Sequence, residues 1–244
     1  MFVKYNNLRL YRHPNPFIRY TEGRRVSEIL AAVGGAERVA DVGCGEGYVL
    51  ARIQAPQAVG VDISKAAMLM AAKLTGAKRA STTLVRADGE CLPFQDSFFD
   101  AAVCSEMLEH TPNPAKVVSE LARVTRPGGR VVLTIPNEPL INAIKGMAWN
   151  LGIFNLVFPG VPRRQDEEWH LHSFDLGMLR KLCGRALKIE AVHCVPFGFL
   201  PVRYVVVCRN AKGMRQMRRS TKNRKGALFS RKVRRVGGYF DAIR

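Results

Sequence analysis

Short apolar runs alternate with amphipathic stretches along most of the chain. Residues 38–41, 58–62, 83–87, 101–104 and 130–135 are compact runs rich in Val, Ala and Leu. Runs of that length without strict alternation suit strands buried on both faces. Between them the apolar spacing is helical. Residues 24–33 put Val26, Ile29 and Leu30 on one face and stop at Gly34-Gly35. Residues 47–53, 65–74 and 114–125 read as further helices, the last ended by Pro127-Gly128-Gly129. A helix at 176–183 then precedes strands at 187–194 and 202–208. Strands alternating with helices predict an α/β fold, a largely parallel sheet covered by helices on both faces. The last two strands are joined too closely for a crossover helix, so the final one should run antiparallel. Residues 1–23, polar and aromatic with His13-Pro14-Asn15-Pro16, read as a lead-in over the site, and no internal repeat is apparent.

The first strand runs into Asp41-Val-Gly43-Cys44-Gly45-Glu-Gly47. Glycines at alternate positions let the backbone turn sharply and approach a ligand where a Cβ would collide. Strand, glycine loop and helix in that order make a nucleotide site. A dinucleotide fingerprint wants its third glycine where this chain has Tyr48. About twenty residues on, Asp62 closes the second strand, where a carboxylate can accept hydrogen bonds from both hydroxyls of a ribose; Ser64 is the better helix cap. Asp88 ends the third strand and could accept from an adenine amino group, with Gly89 letting the base lie close and Leu92-Pro93-Phe94 as apolar cover.

Charge divides the chain. Of the net +18 over 244 residues, +12 lies in residues 209–244, where thirteen Lys and Arg face only Asp241. Such a block reads as a solvated arm that attracts polyanions, whether anionic lipid or RNA. The six cysteines include no Cys-x-x-Cys pair and suit small core residues in a reducing cytosol. The N-terminus lacks the sustained apolar run of a cleavable signal, so the expected location is cytoplasmic.

Taken together, the glycine loop, Asp62, Asp88, the 100–110 segment and Arg126-Pro-Gly-Gly-Arg resemble the class I S-adenosylmethionine-dependent methyltransferases over roughly residues 25–210. The resemblance implies a Rossmann-like seven-stranded sheet of order 3-2-1-4-5-7-6 with strand 7 antiparallel. It also implies S-adenosyl-L-methionine as cofactor, held by Asp41, Gly43, Cys44, Gly45, Gly47, Asp62, Ile63, Asp88, Gly89 and Ser105. Domain bounds follow: a lead-in at 1–23, the methyltransferase domain at 24–208 with an insertion at 136–173, and the basic tail at 209–244. Cys104-Ser-Glu106-Met-Leu-Glu109-His110-Thr-Pro-Asn-Pro114 is similar, more narrowly, to the ubiquinone-biosynthesis O-methyltransferases. Glu106, Glu109 and His110 could share a helical turn and hold a divalent metal that acidifies a phenol. A Leu-Glu-His-x-Pro run also occurs in metal-free relatives, where the imidazole lines the pocket or acts as general base. The chain departs from that narrower family at its beginning and in its basic tail.

The insertion carries Leu140, Ile144, Met147, Leu151, Phe154 and Phe158 at helical intervals, with Trp149 nearby and Lys145 its one charge between 140 and 162. It reads as a substrate lid or as an interfacial helix on an anionic membrane surface, with 140–164 and the basic tail as contacts; a dimer surface is the third reading. His170 and His172, beside Trp169, are further candidates to take a proton near neutral pH. The function expected is methyl transfer to a small, hydrophobic or lipid-like acceptor, with O-methylation favoured, by a protein peripheral to the inner membrane surface. The alternatives are an RNA or other nucleic-acid methyltransferase using the tail, and a non-catalytic cofactor-binding scaffold. Against the first, the fourth strand ends in Cys-Ser-Glu-Met and lacks the Asn/Asp-Pro-Pro-aromatic run of exocyclic base-nitrogen methylation.

Overall fold

A computed structural model describes residues 11–76, 81–158, 171–184 and 186–211. Thirteen elements follow in chain order: α1 (Pro16–Val33), β1 (Arg38–Val42), β2 (Gln57–Asp62), α2 (Lys65–Gly76), β3 (Thr82–Arg86), β4 (Phe99–Ser105), α3 (Pro114–Val124), β5 (Thr125–Pro136), α4 (Glu138–Asn150), α5 (Phe154–Val157), α6 (Leu176–Cys183), β6 (Leu187–Phe197) and β7 (Leu200–Asn210). Single 3-10 turns occur at Leu50–Arg52 and Leu108–His110.

The seven strands form one sheet in the order β3-β2-β1-β4-β5-β7-β6. β3, β2, β1, β4 and β5 are parallel; β7 pairs antiparallel with both β5 and β6. Both the order and the reversed strand are those expected from the sequence. One face of the sheet is covered by α3 and α6, whose Val117, Leu121, Leu179 and Cys183 close over Ala40, Ala102 and Leu133. The other is covered by α1 and the Leu50 turn through Val26, Ile29, Leu50 and Ile53. With apolar side chains required above and below, the central strands read as continuous Val and Ala runs.

Helix starts follow capping chemistry. Asn113 accepts from Lys116 N at 3.1 Å ahead of Pro114, and Asp175 accepts from Met178 N at 2.6 Å. The same chemistry corrects the chain's beginning. Helix α1 starts at Pro16, eight residues before the expected 24, because Asn15 Oδ1 caps Phe17 N at 2.9 Å and Pro16 sits in the first turn. Residues 16–23 are therefore the first turns of α1. The expected helix at 47–53 is only the one 3-10 turn at Leu50–Arg52, cut short by the run into Pro56. Arg209 and Asn210, assigned to the tail, complete β7: Arg209 pairs with Glu190, and Asn210 Nδ2 donates to Ala122 O at 2.8 Å. The tail from residue 212 onward, Arg163-Arg164, Trp169 and His170 lie outside the described residues.

In the insertion, α4 turns its small and charged residues inward. Glu138, Lys145 and Ala148 are buried, while Met147, Trp149, Leu151, Ile153 and Leu156 are exposed, Leu156 to 82%. A core helix would do the reverse. No helix among the described residues is long and apolar enough to cross a membrane.

Candidate functional site

The carboxyl ends of β1, β2 and β4, with the loop after β3, converge on the glycine loop. Gly43, Gly45 and Gly47 all hold positive φ, at 75°, 53° and 79°. A Cβ on Gly43 would lie 2.5 Å from Met107 Sδ, and one on Gly89 2.5 Å from Met107 Cε. Met107 thus spans the glycine loop and the loop after β3. A Cβ on Gly47 would meet Ala71 at 3.0 Å, so α2 packs directly on the loop's end.

Asp62 braces this loop. Its Oδ2 accepts from Gly45 N and its Oδ1 from Ser64 N, each at 2.8 Å. Ser64 Oγ in turn accepts from Ala67 N at 3.3 Å, as the cap of α2. Each carboxylate oxygen of Asp62 keeps a second lone pair for a ligand hydroxyl. Asp41, at the end of β1, is buried with its Oδ2 unpartnered among the described residues. Burial, reinforced by the charge of Asp62, pushes its carboxyl up to about 7. Cys44 is buried, and Ile63 is exposed beside Asp62. Asp88 is exposed two residues past β3 and accepts from Glu90 N at 2.9 Å. Leu92 and Phe94 pack into the core cluster around Phe99.

Beside the loop lies a buried ionic chain absent from the sequence reading. Glu22 accepts from Arg25 Nη2 at 2.8 Å and from Arg203 Nε at 2.9 Å. Arg25 also donates to Ser105 Oγ and to Tyr11 OH, and Arg203 to Glu106. Thr134 Oγ1 donates to Glu106 Oε1 at 2.8 Å. Burial alone would raise the Glu22 carboxyl, yet Arg203 and Arg25 outweigh it and hold it below the usual carboxylate range. Tyr11 is pushed up to about 12 by burial, against the pull of Arg25, and stacks on Tyr48 with ring centroids 3.3 Å apart. Two signals for this chain stood in the sequence: Glu22 and Arg25 at helical spacing, and Arg203 inside an apolar strand.

The histidine segments come together on the turn after β4. Leu171 N and His172 N donate to Glu109 O at 2.8 and 3.3 Å, and His172 Nε2 lies 3.0 Å from Thr111 O. A carbonyl only accepts, so His172 Nε2 carries the proton and Nδ1 is the basic nitrogen. His110 Nε2 is 4.0 Å from Glu109 Oε1. Glu109 is buried, and burial together with Glu106 raises its carboxyl well above the ordinary range, favouring the neutral acid. The metal suggested for Glu106, Glu109 and His110 does not fit. Glu106 is committed to Arg203 and Thr134, and no group of three His, Cys, Asp or Glu suited to an ion occurs among the described residues.

Known proteins place this geometry. Residues 40–133 match the family described as a methyltransferase domain. The chain is 36% identical over 125 residues to a ubiquinone biosynthesis O-methyltransferase of Alkalilimnicola ehrlichii, covering 47% of this chain and 48% of that protein. It spans about half the length of the curated relatives it matches. In fold it is similar to magnesium protoporphyrin IX methyltransferase from Synechocystis PCC 6803, solved with bound SAH, with TM-score 0.61, 19% identity, and coverage of 83% of this chain and 92% of that one. An N-methyltransferase from Bradyrhizobium japonicum WM9, in complex with S-adenosyl-L-homocysteine, gives TM-score 0.58 at 14% identity, over 82% and 90%. The sheet order and the glycine loop at its centre are thus set in a fold shared with solved methyltransferases, and residues 40–133, which carry that loop, match the methyltransferase domain family.

Proposed function

We propose that the chain transfers the methyl group of S-adenosyl-L-methionine to an oxygen on a small, hydrophobic or lipid-like acceptor. The observation that carries the reading is the Asp62 brace at the carboxyl end of β2, with Oδ2 holding the glycine loop at Gly45 N and Oδ1 holding the backbone ahead of α2 at Ser64 N. On this reading Gly43, Cys44, Gly45 and Gly47 bring backbone close to the methionine part, Asp62 and Ile63 take the ribose, and Asp88 and Gly89 take the adenine. Asp41 and Ser105 stand behind the sulfonium end. The methyl donor arrives activated, so the protein supplies alignment for in-line displacement and exclusion of water. A proton from the acceptor hydroxyl goes to His110 or to Nδ1 of His172, which is hydrogen-bonded to the turn that carries His110. The ubiquinone-biosynthesis name of the Alkalilimnicola relative favours a phenolic or quinol-like acceptor.

The outward apolar face of the insertion supports delivery of that acceptor from an anionic membrane surface. Met147, Trp149, Leu151, Ile153 and Leu156 would enter the headgroup boundary, as large apolar side chains with an aromatic do in interfacial helices. Incubating the protein with labelled S-adenosylmethionine and fractionated cell extract tests the acceptor, with label expected in the lipid-soluble fraction. Label confined to RNA or protein would refute the small-acceptor reading. Flotation with vesicles containing phosphatidylglycerol tests the surface: Leu151→Asp/Leu156→Asp should weaken binding at least about tenfold, since burying one Leu contributes about 1.5–3 kcal/mol.

A further inference from the structure

Glu106 stands where a divalent ion would need a carboxylate, and its partners already meet that need. We propose that the Arg203 guanidinium is the resident cation of the Glu106–Glu109 cluster and that the cluster takes no metal. Glu106 sits at the end of β4 with φ of 52°, a left-handed conformation unfavourable for a residue with a Cβ. It is held there by its own N–H, which lies 3.2 Å from Thr134 O and 3.1 Å from Thr134 Oγ1. This backbone directs the carboxylate at β5 and β7, where Thr134 engages Oε1 and Arg203 engages Oε2.

Arg203 cannot step aside without consequence. Its Nε is bonded to Glu22, which is 1% exposed, so displacing the guanidinium would weaken the pairing of a buried charge. Glu22, Glu106, Arg25 and Arg203 sum to zero formal charge. Their charges already balance, so a divalent ion set beside them would bring two uncompensated positive charges into a buried site. Arginine is also permanently charged and presents a planar fork of donors that matches a carboxylate, whereas a hard divalent ion needs several converging oxygen ligands. The consequence is a cation that chelators cannot remove, built into the last strand of the sheet.

The test is binding of Mn2+ alone, followed by electron paramagnetic resonance and by melting temperature, on wild type, Glu106→Gln, Arg203→Met and Arg203→Met/Glu106→Gln. Wild type should show no stoichiometric site up to about 1 mM, the weak end of protein sites for hard divalent ions. Its melting temperature should be the same in EDTA and in Mn2+. Arg203→Met should gain a single Mn2+ site and be stabilised by the ion, and the added Glu106→Gln should abolish both effects. A wild-type Mn2+ site lost in Glu106→Gln would overturn the proposal, as would a folded Arg203→Met protein that gains no site. If Arg203→Met does not fold, wild type against Glu106→Gln still decides. Calorimetry with S-adenosylhomocysteine on the same wild-type protein reads the methyl-transfer proposal separately, because none of these outcomes requires catalysis.

Discussion

Replacing Asp62 by Asn tests the loop brace with almost no change in shape. The carboxylate accepts two backbone N–H groups, Gly45 on one oxygen and Ser64 on the other, each at 2.8 Å. An amide has a single oxygen, so its NH2 must face one of those N–H groups, donor against donor. At least one hydrogen bond to a charged acceptor is lost, at about 1.5–3 kcal/mol. If the brace holds the cofactor-binding shape of the loop, that loss appears as about 10- to 100-fold weaker binding of S-adenosylhomocysteine, at 1.4 kcal/mol per tenfold. Asp62→Ala removes both bonds and should weaken binding beyond that range. Isothermal titration calorimetry at 25 °C, on samples whose circular dichroism and melting curves confirm folding, reads the effect directly. An affinity for Asp62→Asn within threefold of wild type would refute the assignment of Asp62 and the argument that its two oxygens shape the site.

Three further outcomes follow from the same region. Asp41 is raised from its ordinary value to about 7, so the folded state favours its neutral form; that contribution is complete below about pH 4 and is lost as pH rises through 7. Asp41→Asn should therefore flatten the fall in stability of the ligand-free protein between pH 5 and 7, by at most about 3 kcal/mol at 1.36 per pKa unit, and urea melts showing parallel curves for both proteins would contradict this. Gly43→Ala forces an L side chain into φ of 75° and against Met107, which should cost about 1–2 kcal/mol and lower Tm by about 2–8 °C. Met107→Ala in the same chain should relieve part of it, and strictly additive losses would show that the two side chains do not compete for one space. His110→Gln and His172→Gln should separate the two candidate bases: with a phenolic acceptor one of them should lose about 100-fold or more in kcat with KM little changed, while both staying within twofold would remove general-base catalysis from the scheme.

The sheet was legible because burial on both faces leaves few choices. Val39, Ala40, Val59, Val61, Ala101 to Cys104 and Val131 to Leu133 are apolar without interruption, and the short link between β6 and β7 fixes the reversed strand. The glycine loop was legible for its spacing. The start of α1 was missed because residues 16–23 look polar; Thr21 and Glu22 are in fact buried, Glu22 through partners 3 and 181 positions away. The insertion's periodicity left its orientation open. An apolar stripe predicts which residues share a face but not whether that face turns inward, and here the side toward the protein carries Lys145 and Glu138. Arg203 stayed unread as a site residue since its partners come from α1, β4 and, through Glu106, from β5, a juxtaposition that only the folded sheet supplies.

The bond between Glu22 and Arg203 also sets a clock. Its two ends lie 181 residues apart in the chain, so at a synthesis rate of about 5–20 residues per second the first helix waits roughly 10–40 s for its partner. Until β7 emerges and inserts beside β5, Glu22 lacks one of its two guanidinium partners and Glu106 lacks Arg203. The glycine loop and its brace lie wholly within residues 41–64 and are made early. The residues of the glycine loop and its brace are therefore synthesised well before the strand that completes the other end of the site, and the first helix cannot reach its full set of partners until almost all of the sheet has been made.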